Sequence, residues 1–299
     1  MKRSQKFYLQ FGLAVSLLIF IGILIYNLWV NLSRTDMLLS FRWLEQPAGF
    51  PLAEHALSYK PSDSYIWALC MGWLNSLKVI ICGLLAATVL GILAGTARSS
   101  RNALLRALSS GYVALIRQIP LLLQLFFWYF AGFLRLSQTP LAPLGTLIQV
   151  SKQGVELLGL HLSSEFSALL VGLSVFTGAS IAEVVRGGIN SVPRGQWEAF
   201  RSLGLPEGLG LRSVVLPQAL PAILPGLTSQ YLNLAKNSTL AIAVAYADLY
   251  KVINTTITQT NRAIEGFLLL LISFLMLNLL ITGGMELLNR LVLKSQQSS

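Results

Sequence analysis

Residues 66–97 read IWALCMGWLNSLKVIICGLLAATVLGILAGTA, a run of apolar and small residues interrupted by one charge, Lys78. A helix needs about 20 such residues to cross a bilayer, so this stretch is long enough to span. Working outward, comparable runs occupy 8–32, 106–134, 163–190, 212–246 and 264–291. The bulk composition agrees. Of 299 residues, 54% are hydrophobic and 11% charged, with a mean hydropathy of +0.65. Soluble domains are about 25% charged, and a membrane barrel would show ~10-residue alternating segments rather than continuous apolar runs. The expected fold is therefore an all-α integral membrane protein of about six transmembrane helices.

The net charge of +10 would suit a nucleic-acid ligand in a soluble chain. In a membrane protein, basic residues instead collect in loops on the cytoplasmic side, next to anionic headgroups. With the N-terminus placed inside, twelve of the 22 Lys and Arg fall inside and seven outside, with three in or near spans. Both termini are expected in the cytoplasm. The first apolar run follows Lys2, Arg3 and Lys6. It exceeds a signal-peptide core and no small-x-small cleavage site follows it, so it reads as a retained span.

Cys70 and Cys82 lie on one helical run, about 18 Å apart along it, too far for a disulfide. His55 and His161 fall in separate connectors, with no metal-site spacing. An intramembrane enzyme would need a nucleophile and base at depth, and no histidine lies in any span. A secondary transporter would show internal repeats with paired broken helices, and only one strongly interrupted span is visible.

That span carries Pro217, Pro221 and Pro225 at intervals of four. Each removes a backbone donor, and they recur on one side of the helix. Either the helix is merely kinked, or its freed carbonyls face protein or a wet cavity. Among the connectors, 33–65 is a long polar loop and 135–162 is moderately apolar, with room for a short surface helix. Residues 191–211 are compact and rich in Gly, Pro and Arg, and 247–263 reads as a polar loop rich in Thr and Asn. The GxxxG at Gly91 and Gly95 allows close helix approach.

The connector from 194 reads Arg194-Gly195-Gln196-Trp197-Glu198-Ala199-Phe200-Arg201-Ser202-Leu203-Gly204-Leu205-Pro206. Trp197 and Phe200 share one face of a short helix, with Glu198 and Arg201 beside them. Gly204 suits a left-handed C′ position and Pro206 prevents continuation. From physics alone this is an interfacial amphipathic helix.

Its spacing also resembles the signature of importer-type ABC permeases: Glu-Ala-Ala, three residues, Gly, nine residues, Ile, one residue, Leu-Pro. Here it reads Glu198-Ala199-Phe200, Gly204, Val214 and Leu216-Pro217, with Phe200 replacing Ala and Val214 replacing Ile. Further stretches resemble the polar amino-acid branch of that family: Asn75-Ser76-Leu77-Lys78, Arg117-Gln118-Ile119-Pro120-Leu121, Glu183-Val184-Val185-Arg186-Gly187-Gly188-Ile189 and Lys236-Asn237-Ser238-Thr239-Leu240. Gln118 stands where the family usually has Gly.

The resemblance implies a type I importer core of five helices over 66–292, preceded by an extra helix and external loop (1–65) and followed by a tail (293–299). It implies a multi-pass protein of a bacterial inner (plasma) membrane. It also implies a coupling helix at 194–204 that docks on an ATPase dimer through Trp197, Glu198, Ala199, Phe200, Arg201, Gly204, Leu216 and Pro217. Implied partners are a second permease subunit, more readily a related chain than an identical one, and a periplasmic amino-acid-binding protein. The sequence holds no Walker A motif, so ATP and Mg belong to the partner and no cofactor is expected on this chain.

Ionisable and polar groups at bilayer depth are functional candidates. Asn233, Lys236, Asn237 and Ser238 form a polar cluster that serves either the path or a structural hydrogen-bond network. Gln118 and Gln124 are candidates for lining the path. Glu183 and Arg186, three apart, suit a local ion pair, and Lys78 suits a side chain that snorkels outward.

Overall fold

The computed structural model describes residues 3–34, 39–142 and 147–297. The chain divides near residue 43 into two units. The first contains helix α1, Arg3–Arg34, whose described residues 11–27 are all exposed. The second holds the rest of the chain.

Helix α2 (Tyr65–Arg98) starts at Ser64, whose side chain accepts from Trp67 N. Glycines along α2 let neighbouring helices approach. A Cβ on Gly91 would lie 2.3 Å from Ile181 Cγ2, and one on Gly95 would lie 2.7 Å from Val185 Cβ. Both contacts are with α5 (Ser164–Ser191), so the GxxxG face is a helix–helix contact. Nearer its start, Gly72 faces Val252 and Leu249 in the same way.

The expected single span at 106–134 is two helices. Helix α3 (Ala103–Gln118) begins at Asn102, which accepts from Leu104 N and Leu105 N. Helix α4 (Leu121–Phe126) continues into a π-helical turn, Phe127–Phe133, and the pair bends by 105°. Pro120 drives the break. It lacks an N–H and forces the preceding residue out of the helical region, and Ile119 sits at φ −97°, ψ 126°.

Two connectors differ from expectation. Residues 135–162 hold no described helix beyond the sequence-adjacent turn; instead β1 (Ile148–Ser151), β2 (Gly154–Leu157) and β3 (Leu160–Ser163) form an antiparallel sheet in that order. The helical fold thus carries a small β element. Leu158 and Gly159 join β2 to β3 with φ 53° and 80°, the pair of positive values that a two-residue I′ hairpin requires.

The Thr- and Asn-rich stretch is likewise not a loop but helix α9, Leu249–Thr260. Thr255, Thr256, Thr258 and Thr260 each donate their hydroxyl to the carbonyl four residues earlier. The polarity that suggested a loop is absorbed along the helix itself.

After α5 come α6 (Arg194–Ser202), α7 (Glu207–Gly210), a π turn (Leu211–Val215) and α8 (Leu216–Asn237). Pro217 sits in the first turn of α8, where a missing N–H costs little, while Pro221 and Pro225 are internal. A 3-10 segment, Ser238–Val244, leads on towards α9. The long helix α10 (Ala263–Gln297) closes the fold and runs into the stretch expected as a tail.

Among the described residues, four helices are long and apolar enough to cross a membrane, or up to six when the two bent pairs each count as one span. Helix α5 is the central one. It meets α2 on one side, while Gly188 and Gly226 bring it against α8 at Ile223 and Val184. Its 28 residues span about 42 Å.

Candidate functional site

Helix α6 is anchored by Phe200, which is 1% exposed and joins the core formed by Ile189, Val192, Val215 and Ala219. The ring is accommodated because residue 210 is glycine: a Cβ there would stand 2.3 Å from Phe200 Cδ2. The bulkier side chain at the second Ala position of the signature therefore has a matching gap in α7. Trp197 packs beside it at a tilt of 50°, with ring centroids 5.8 Å apart.

Gly204 takes φ +69° and closes the helix with two bonds, Gly204 N to Arg201 O and Leu205 N to Phe200 O. This is a Schellman cap. Arg201 lies over the Trp197 ring and pairs with Glu207 at 3.0 Å. Glu207 also takes Arg101 from the α2–α3 connector at 3.1 Å. Gln218 of α8 donates to Gln196. Glu198 and Ala199 are exposed, as is Pro217 at the start of α8, whereas Leu216 packs against the core.

A second constellation lies along α5. The Glu183 carboxylate meets three guanidinium groups: Arg98 at the end of α2 (2.8 Å), Arg186 one turn on (2.9 Å) and Arg117 at the end of α3 (3.5 Å). The expected local pair is thus part of a junction that ties three helices.

Arg117 also lines a polar cavity of about 380 Å³. Its other walls are Phe176, Thr177 and Ser180 of α5 and Gln230, Asn233, Lys236 and Asn237 of α8. Thr177 sits at the midpoint of α5. Lys236 is exposed to this cavity and forms no ion pair among the described residues.

Asn233, Lys236 and Asn237 are brought together as the sequence suggested; the remaining path candidates are placed elsewhere. Ser238 is buried and donates to Ala235 O. Gln118 is exposed at the end of α3. Gln124 is buried, and its amide donates to Ile116 O and Ile119 O, both at 2.9 Å. Its amide nitrogen satisfies carbonyls that the Pro120 break leaves open, while its buried Oε1 has no hydrogen-bond partner among the described residues.

Comparison with known proteins bears on this arrangement. The family described as "Binding-protein-dependent transport system inner membrane component" matches residues 87–294, which include α6 and every wall of the cavity. The chain belongs to this family. It is a multi-pass inner-membrane permease of the ABC transporter class.

The permease is 34% identical to YhdX of Escherichia coli, a protein named as an amino-acid ABC transporter permease, over 90% of this chain and 89% of that one. It is 32% identical to AapQ of Rhizobium johnstonii, a general L-amino acid transport system permease protein, over 88% and 86% of the two chains. A crystal structure titled as an amino acid ABC transporter with histidines shares its fold with a TM-score of 0.59 at 25% identity. That match covers 76% of the permease and 94% of the other chain.

The cavity residues Gln230, Thr177 and Ser180, not singled out in the sequence, had a readable signal beside the candidates Asn233 and Asn237. Gln230, Asn233 and Asn237 recur at helical spacing on one face of α8, and Thr177 and Ser180 do so on α5. Gly210 and Glu207 had none, because their partners depend on how α7 folds back on α6.

Proposed function

We propose that this permease forms the membrane path of an ATP-driven amino-acid importer and that α6 is its coupling helix, seated in a groove of a separate ATPase. The observation that carries this reading is mechanical. Phe200 in its Gly210 gap and the Gln196–Gln218 bond attach α6 to the base of α8, and the same α8 supplies Gln230, Asn233, Lys236 and Asn237 to the cavity wall. A push on α6 moves that wall as a rigid body.

Arg117 and Lys236 suit the α-carboxylate of an amino acid, and the neighbouring amides and hydroxyls suit its ammonium and polar side chain. The exposed face of α6, with Glu198 and Ala199, is left for the ATPase. ATP and Mg reside on that partner, since this sequence has no phosphate-cradling loop.

The complex also contains a second permease, a related chain rather than an identical one, and takes substrate from a periplasmic amino-acid-binding protein. Both termini and α6 lie in the cytoplasm in this reading, which the charge bias of the connectors supports.

The reading is tested by purifying the complex from native membranes, reconstituting it with its binding protein, and measuring ATP-dependent uptake of neutral, acidic and basic amino acids. Uptake of at least one class is expected, with nucleotide held by the co-purified ATPase. Stoichiometric nucleotide on the isolated chain, or no ATP-dependent amino-acid uptake, contradicts it.

A further inference from the structure

Residues 44–64, ahead of α2, are folded rather than slack. Ala48 N donates to Asp63 O and Gly49 N to Pro61 O, Tyr65 N reaches Gln46 O, and Trp67 Nε1 reaches Ser58 O. The Tyr59 hydroxyl donates to Phe50 O, and burial, with Asp63 and Tyr65 nearby, pushes its pKa up, so it stays a donor. Residues 44–64 therefore form a strap of fixed shape.

One strap residue, Glu54, reaches three residues outside the strap. Glu54 Oε1 lies 2.6 Å from Lys78 Nζ of α2, and Glu54 Oε2 accepts from Ser163 Oγ at the β3–α5 junction. The Glu54 backbone carbonyl accepts from Asn75 Nδ2, which also donates to Ala247 O ahead of α9. Lys78 is further held over the Phe166 ring, 4.3 Å from its centroid. It does not snorkel freely.

All these partners cluster at the start of α5, some 42 Å along that helix from α6. By contrast, the strap is loosely packed on α9. A cavity of about 250 Å³ separates Phe50, Pro51, Leu52 and Ala53 from Lys251, Val252 and Thr255. Ala48, Phe50 and Tyr59 of the strap are buried, and Glu54 adds an ion pair to α2.

We propose that Glu54 is a latch: it pins the 44–64 strap across the end of the bundle remote from α6, and its contacts with Lys78 and Ser163 break each time the path opens at that end. This rests on the reading that the remote end faces the binding protein. Glu54 lies outside residues 87–294, the part matched by the family model. It acts on transport through α2 and α5, as a positioning residue. Closing the remote end with a charged contact raises the free energy of the outward-open state, so ATP hydrolysis stays slow until the binding protein arrives.

The test uses the assembled complex. Glu54→Gln removes the charge and keeps the shape. It is expected to raise ATP hydrolysis without binding protein about tenfold while changing the stimulated rate little. Lys78→Gln should do the same, and the double variant should add nothing further. Glu54→Asp should restore part of the restraint.

An independent variant, Glu54→Cys with Ser163→Cys in a Cys70→Ser, Cys82→Ser background, should lose uptake on oxidation and regain it on reduction. An unchanged basal rate in Glu54→Gln, or full uptake in the oxidised cross-linked protein, overturns the latch. Parent protein that transports normally beside such variants locates the failure in the latch alone. Parent protein without ATP-dependent uptake locates it in the permease reading.

Discussion

Phe200 and Gly210 meet so closely that a single added carbon on Gly210 would lie 2.3 Å from the Phe200 ring. This contact joins the short helix α6 to the end of α7, which leads through the π turn into α8, and it is the mechanical root of the coupling proposed above. Gly210→Ala is expected to displace Phe200 and cost about 1–3 kcal/mol, the usual range for overpacking. Thermal unfolding of the purified complex and retention of the ATPase on the permease both read this. Phe200→Ala added to Gly210→Ala should recover ATPase retention, because it restores the small residue of the family pattern opposite the new methyl.

Glu183 is the shared carboxylate of three arginines from three helices. Glu183→Gln leaves Arg98, whose side chain is 14% exposed, without its counter-charge. The expected loss is ~2 kcal/mol, typical of a charged hydrogen bond left partly unsatisfied. It should appear as a lower melting temperature. Arg186→Gln should cost less, since Arg98 and Arg117 still neutralise the carboxylate.

Gln124 separates a structural role from a path role. With its amide on Ile116 O and Ile119 O, Gln124→Leu strips two carbonyls at the α3–α4 bend of their donor. About 1–3 kcal/mol of stability should be lost, with the uptake KM of surviving protein unchanged. A raised KM with normal stability would place Gln124 on the path instead.

Lys236 should behave in the opposite way. It is exposed to the cavity with no ion pair among the described residues, so Lys236→Gln should leave melting nearly unchanged. Uptake KM should rise about tenfold, the worth of one charge-assisted contact to a carboxylate. Lys236→Arg should fall between. Concentration-dependent uptake in proteoliposomes measures both.

What the sequence could show followed from how local each signal is. The run 66–97, the Gly204 cap and the fixed gaps from Glu198 to Pro217 are all contained within a few turns, and they were legible. The 105° bend at Pro120 was not legible in the run 106–134, because Gln124 stabilises it from the next helix. Helix α9 was hidden because its threonines look like loop residues until their hydroxyls are counted on the carbonyls one turn back. The sheet at 148–163 was hidden by short strands set in a Leu-rich segment. Glu54 was invisible for a different reason: its partners Lys78 and Ser163 lie 24 and 109 residues away. The same distance effect concealed Glu207 as the partner of Arg101.

Glu198 sits exposed on α6 and its carboxylate makes no ion pair among the described residues, so it is free to meet another protein. The most direct test of the account is the ratio of amino acid taken up to ATP hydrolysed by the reconstituted complex carrying Glu198→Lys. The account predicts an intact, inserted permease whose uptake per ATP collapses or whose ATPase no longer responds to the binding protein. A wild-type ratio, with wild-type stimulation, would contradict the assignment of α6 as the coupling helix.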